Sequence, residues 1–395
     1  MDDDQSMDST GTNDVMDGAI NDVSRNEKER YAEVKTIFMD LLEQEESARE
    51  SVFSTLPPRV AAEVRSLFEH VSQDPLIHEP DEENAKPEDP LGLTTTLLDE
   101  RYKVGEFVAE GGFSYVYKAE QIRWERPVAI KIFKIERTHD DKVRKSFVKE
   151  GALLAQLSQQ TTAIVQSYDI GEFTDAAGQK QLFMALEWLN GRTLARLCAE
   201  NMQPWSFEKL FQVLDPIAHG LGVAHESGIA HRDVKPSNIF VVERRGEALT
   251  TKLLDFGVAK VAAENDQGFK GTGGTLKAFT LGYGAPEQIA QTQEPTGPWT
   301  DVYSLALVAS ELLAGRRIVD TQDPISALKR LNNPSLSATP RELGANVPKA
   351  VNRVFQRALE EKASHRQKDV SEFWAELKEA VPKKHGTWSA FFKGE

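Results

Sequence analysis

Apolar positions recur at helical spacing at Tyr31, Val34, Ile37, Phe38, Leu41 and Leu42, then at Val52, Phe53 and Leu56, and after Pro57-Pro58 at Val60, Val64, Leu67, Phe68 and Val71. Steps of three and four residues put each set on one face, so two or three amphipathic helices are predicted over 27–72. Residues 1–26 ahead of them are polar, acidic and poor in large apolar groups, which predicts disorder. From Gln73 to Pro90 proline and acids replace the periodicity, and 73–98 reads as an extended acidic, Pro-rich linker. The pattern then turns to strands over Tyr102–Phe107, Tyr115–Glu120 and Pro127–Phe133, and to helices after Thr193. Strands gathered ahead of helices specify an α+β fold, with an antiparallel sheet first and a mainly helical part after it. Thr174–Lys180 and Glu243–Leu249 read as hairpin tips at the surface.

At 395 residues, 40% of them hydrophobic, the chain has material for a sizeable core and one small extra module. The helical stretch alone is too short for an independent core, so it is expected to pack on the rest of the chain, a second copy or a regulator. Charge is unevenly spread: residues 1–98 hold 24 acids against 8 Lys or Arg, and the remainder 38 against 39. A nucleic-acid backbone would be repelled by that leader and finds no compensating basic patch, which argues against such a partner. An acidic arm of this kind is either a solvated tail or a segment that docks on a basic surface, the chain's own cationic cleft included. No run of about eighteen apolar residues exists, and Met1-Asp2-Asp3-Asp4 is acidic where a signal peptide is basic, so no membrane span and a soluble, cytoplasmic protein are expected. The single cysteine, Cys198, can form no internal disulfide and is expected to be a small packing residue in a reducing compartment.

The chemistry is concentrated in His231-Arg232-Asp233-Val234-Lys235-Pro236-Ser237-Asn238 and in Asp255-Phe256-Gly257. Phosphoryl transfer needs a carboxylate for the attacking hydroxyl, oxygen ligands for Mg²⁺ and cations on the phosphates. Magnesium takes hard oxygen donors and shares its shell with phosphates, which suits the Asp255 carboxylate and the Asn238 amide oxygen. Asp233 is then left for the hydroxyl. Lys235, two residues on along an extended loop, is on the same side to reach the γ-phosphate.

In this spacing the chain resembles the protein kinase family, specifically the Ser/Thr kinases of eukaryotic type found in bacteria, over 99–381, with 382–395 as a tail. The resemblance implies a two-lobed fold: a small antiparallel sheet lobe with one helix, and a larger, mainly helical lobe. It implies ATP with Mg²⁺ or Mn²⁺, and transfer to Ser/Thr hydroxyls of proteins. Val128-Ala129-Ile130-Lys131 matches the strand whose Lys meets the α/β-phosphates, and Glu150 its helix partner. Leu186-Glu187-Trp188-Leu189 is similar to the hinge, with Leu186 as gatekeeper and the backbone of Glu187 to Leu189 facing adenine. Ala129 and Phe240 join the nucleotide-binding set, and Val116 is the apolar roof over adenine. The glycine loop departs from the family: in Ala109-Glu110-Gly111-Gly112-Phe113-Ser114, Ala109 and Ser114 stand in place of two glycines, so altered ATP affinity is expected. Ala285-Pro286-Glu287 matches the end of the activation segment, Arg366 the partner of Glu287, Asp301 a buried acid under the catalytic loop, and His231 a packed core histidine.

The resemblance also implies regulation. Arg232 would bind a phosphorylated activation loop, with Thr272 and Thr275 as autophosphorylation sites and Thr280 in a structural role. Arg192, Thr193 and Ser237 stand where family members that prefer upstream Arg carry acids, so substrates without that preference are expected. The helical stretch 27–72 loosely resembles the short segment ahead of some bacterial kinase domains. Two alternatives are a pseudokinase-like nucleotide-binding signalling scaffold and a small-molecule phosphotransferase on a similar fold.

Overall fold

In the computed structural model the described residues are 46–58, with scattered helical positions from 37 to 65, and 89–110, 114–134, 141–176, 178–242, 249–256, 282–289, 295–318 and 338–382. The side chains of 141–147, 149 and 150 are not among them. The chain divides into two compact units. In the first, helix α1 (Glu46–Phe53) carries Arg49, whose Nε donates to the Leu41 carbonyl at 3.0 Å. Arg65 grips the Glu50 carboxylate with bonds of 2.6 and 2.7 Å and lies 4.4 Å from the Phe53 ring centre. Leu41, Phe53, Val60, Ala61 and Val64 are buried, so apolar positions of the helical pattern point inward.

The second unit opens with a six-stranded antiparallel sheet in the order β1-β2-β3-β4-β6-β5: β1 Leu97–Leu98, β2 Tyr102–Glu110, β3 Ser114–Gln121, β4 Arg126–Phe133, β5 Ser167–Thr174, β6 Lys180–Glu187. Side chains alternate across each strand, and the register sorts them. Tyr117, Ala119, Val128, Ile130, Phe183 and Ala185 turn to one face and form a closed apolar core with Tyr102, Leu93 and Leu98. Burying each Val, Ile, Leu or Phe of this set contributes about 1.5–3 kcal/mol. Residues 89–98 lie in the stretch that composition reads as linker; in the structure Leu93 and Leu98 are in this core. Asp89 fixes them there, accepting from Tyr117 Oη at 2.6 Å, Thr94 N and Oγ1 at 2.7 Å each, and Leu91 N at 3.2 Å. Burial alone would raise its pKa, but those four bonds outweigh burial and hold it at about 2.

The other face of the sheet meets helix α2 (Asp141–Gln160), whose Leu154 and Leu157 join Met184 and Leu186. A Cβ on Gly151 would lie 2.1 Å from Ile170 Cδ1, so glycine is what lets α2 press onto β5. Below the sheet come β7 (Gly191–Thr193), α3 (Leu194–Glu200), α4 (Phe207–Glu226), and a small sheet in which β8 (Ile239–Val242) pairs with both β7 and β9 (Thr250–Leu253). Helices α5 (Pro286–Ile289), α6 (Pro298–Ala314), α7 (Lys349–Ala358) and α8 (Val370–Ala380) complete the lower lobe. Nearly every residue of α6 from Thr300 to Leu313 is buried, as expected for a helix apolar all round, and it forms the lobe's axis. Around it Phe211 meets Trp374 edge-on at 5.6 Å, and Phe355 meets Phe373 at 5.8 Å. Among the described residues no helix is long and apolar enough to cross a membrane.

Candidate active site

The loop from His231 to Asn238 is held in shape by the lower-lobe core. Asp301, in the first turn of α6 and inaccessible to solvent, accepts from the backbone N–H of His231 at 2.6 Å and of Arg232 at 2.7 Å. These bonds fix Arg232 at φ 62°, a left-handed conformation costing a non-glycine residue about 1–2 kcal/mol. His231 is fully buried against Phe256, ring centres 4.7 Å apart. Its Nδ1 lies 3.2 Å from Asp233 N–H and its Nε2 2.8 Å from the Leu254 carbonyl, which together require the neutral ring protonated at Nε2. Burial lowers the His231 pKa, in keeping with that form. His231 is thus a packed core histidine, joining the Asp233 backbone to the strand leading to Asp255.

From this frame the polar side chains converge. Asn238, in a short turn begun by Pro236, donates from Nδ2 to the Asp233 carboxylate at 3.0 Å and to its carbonyl at 2.8 Å. Lys235 Nζ lies 3.5 Å from the same carboxylate. Across the cleft Lys131 of β4 forms an ion pair with Asp255, bringing the upper-lobe cation to the second acid. Asp255 itself stands at φ 51°, a turn that aims Phe256 into the core and leaves the carboxylate half-exposed.

The donors suit a hard cation. Because both Asn238 amide bonds leave through nitrogen, its oxygen is the end left to ligate, and Asp255 supplies a carboxylate oxygen; two oxygen donors with phosphates are what Mg²⁺ takes. Among the described residues no group of three or more His, Cys, Asp or Glu forms a closed metal cage.

The positions expected from the resemblance to meet nucleotide on β3, β4 and β6 share the sheet face opposite the upper core. Val116 stands opposite Lys131, and Ala129 opposite Leu186, all turned away from the upper core. Leu189, partly buried, packs on the main core beyond β6, and Phe240 pairs with Thr193 across the small sheet. Glu187 Oε1 accepts from Lys252 Nζ at 2.5 Å and from Gln166 N–H at 2.8 Å, which ties the end of β6 to β9 and to the α2–β5 connection. Ala109 pairs with Val116, and Ser114 with Phe133; neither has a positive φ, so the backbone conformation at these two positions is open to a non-glycine residue. Glu110 forms an ion pair with Lys134. Behind the site Arg366 holds Glu287 through two bonds of 2.9 Å with both side chains buried, and Thr300 Oγ1 adds a third at 2.8 Å.

Comparison with known proteins assigns this geometry to a family. Residues 102–388 match the family model described as the protein kinase domain. The chain belongs to the protein kinase family. The kinase is similar to a probable serine/threonine-protein kinase of Clostridium acetobutylicum, 33% identical over 283 residues, which cover 71% of this chain and 40% of the relative. It is also similar to the serine/threonine-protein kinase PknL of Mycobacterium bovis, 33% identical over 258 residues, 65% of this chain and 57% of the relative. The chain thus spans less than two thirds of these relatives' length. The crystal structure of the Mycobacterium tuberculosis PknI kinase domain superposes with a TM-score of 0.52 at 24% identity, covering 74% of this chain and all of that one, a likeness of fold.

Several predicted residues of the kinase lie outside the described ones: Gly111, Gly112 and Phe113 of the glycine loop, Thr272, Thr275 and Thr280, and the Glu150 side chain, although its backbone lies in α2. Two residues that the sequence did not single out belong to the site's frame. Lys252 is one, through Glu187; Gln288 is the other, beside Glu287. Neither has a local signal, because each acts on a partner more than fifty residues away.

Proposed function

We propose that the chain is an ATP- and Mg²⁺-dependent protein serine/threonine kinase. The observation that carries this is the meeting of Asp233, Asn238 and Lys235 in one loop with a Lys131–Asp255 pair that spans the two lobes. Asp233 orients a Ser or Thr hydroxyl and takes its proton as that oxygen bonds to the γ-phosphorus and the bond from that phosphorus to the β–γ bridging oxygen breaks, releasing ADP. Lys235 neutralises charge on the transferred group, and Lys131, oriented by Glu150, holds the α/β-phosphates. Asn238 and Asp255 are the ligands for Mg²⁺, which when bound spreads the phosphates' negative charge. Ala109 to Ser114, Val116, Ala129, Glu187, Leu189 and Phe240 enclose the nucleotide. The names of the relatives support Ser/Thr specificity.

Activation by self-phosphorylation at Thr272 or Thr275 belongs to the same proposal, with Arg232, the residue before Asp233, as a cation whose chemistry suits a phosphate. The helices of 27–72 are proposed to bind a regulator or a second copy. The deciding test is transfer of labelled γ-phosphate by the full chain beside Asp233→Asn. Transfer to Ser/Thr that the variant loses is expected; transfer that the variant retains, or transfer to metabolites alone, would overturn the assignment. Phosphopeptide mapping with label only outside 257–285 would remove the self-activation step.

A further inference from the structure

The peptide unit joining Arg232 to Asp233 orients the acid's backbone, and it is gripped at both ends. Its N–H, from Asp233, donates to His231 Nδ1 at 3.2 Å within the loop. Its carbonyl, from Arg232, accepts from Gln288 Nε2 at 2.9 Å, across 56 positions of sequence. The other end of the Gln288 amide, Oε1, accepts from Ala285 N–H at 3.1 Å. Gln288 is buried, and the residue before it is fixed to Arg366 and Thr300. Turning the amide over would set oxygen against the Arg232 carbonyl and NH₂ against the Ala285 N–H, so the two partners determine its orientation.

We infer that Gln288 is a positioning residue that couples the end of the activation segment to the catalytic loop by holding the Arg232–Asp233 peptide plane. Three features favour this role over simple packing. Arg232 is left-handed at φ 62°, so its peptide has a ready escape to ordinary backbone once a restraint is lost. Asp301 holds only the N–H groups on the near side, leaving the carbonyl to Gln288. An amide is the one side-chain group of this length with a donor for Arg232 and an acceptor for Ala285 at once; ionised Glu lacks the donor, and Met has no donor and only a weak acceptor. The inference rests on the kinase assignment for its catalytic consequence and on geometry alone for the link.

The test compares the full-length wild type with Gln288→Glu and Gln288→Met, using a degenerate Ser/Thr peptide library and Mg·ATP, together with amide hydrogen exchange of peptides covering 229–238. Both variants are expected to lose about ten- to a hundredfold in kcat with KM for ATP within about twofold. Exchange is expected to rise in 229–238 and to stay unchanged in α6. Unchanged kcat and unchanged loop exchange would overturn the inference, as would exchange rising in α6 along with the loop, which marks loss of fold. If the wild type transfers no phosphate, the kinase assignment fails, and the exchange arm by itself upholds or overturns the Gln288 link.

Discussion

Replacing Asp301 by Asn keeps the shape of a fully buried side chain and changes only what it accepts. Oδ2 receives His231 N–H at 2.6 Å and faces His225 Nε2 at 2.9 Å, whereas Oδ1 receives Arg232 N–H at 2.7 Å. The amide oxygen of Asn will therefore take the Oδ2 place, and its NH₂ will lie against the Arg232 N–H. The variant loses one bond to a charged acceptor, about 2 kcal/mol, and strands a buried N–H, about 1 kcal/mol more. The sum, about 3 kcal/mol, corresponds to a fall in melting temperature of about 4–6 °C for a unit of this size. The bond lost is the one that offsets the left-handed Arg232, so Asp233 loses its setting and kcat falls by about tenfold or more, while affinity for an ATP analogue changes by less than about twofold. Calorimetry, peptide kinetics and analogue titration read the three quantities. Melting within about 2 °C of wild type with unaltered kcat would refute the role given to Asp301.

Arg366→Met leaves Glu287 buried with only Thr300 as a side-chain partner and is expected to cost about 3–5 kcal/mol in urea unfolding, much of it recovered when Glu287→Met is added; equal loss in the single and the double variant would contradict the pairing. Asp89 bears on pH. Its folded pKa, about 2, lies below the ordinary 3.8, so its contribution is complete above about pH 4 and is lost as pH falls towards 2. The stability difference between wild type and Asp89→Asn, discounted for partial exposure to about 1–2 kcal/mol at neutral pH, should shrink across that window. A difference independent of pH would show that Asp89 acts by shape alone.

The sequence by itself determined the class of fold and the inventory of chemical groups, because both are carried by local pattern. Alternation over Tyr102–Phe107 and Pro127–Phe133 fixed which side chains share a face, and thus that Ala129 and Lys131 turn one way and Val128 and Ile130 the other. The spacing from Asp233 to Asn238 and on to Asp255 already carried oxygen groups of the kind phosphoryl transfer needs. Leader composition was a poorer guide at its end, since Leu93 and Leu98 find their core only when β2 and β3 are beside them. Tertiary structure alone decided how the acids are held. Arg232 becomes left-handed because Asp301, 69 positions away, accepts its N–H, and Gln288 reaches its carbonyl across 56 positions. Lys252 likewise meets Glu187 across 65 positions. A hydrogen bond needs its partners within about 3 Å, and no local periodicity encodes which distant residue the fold will bring there.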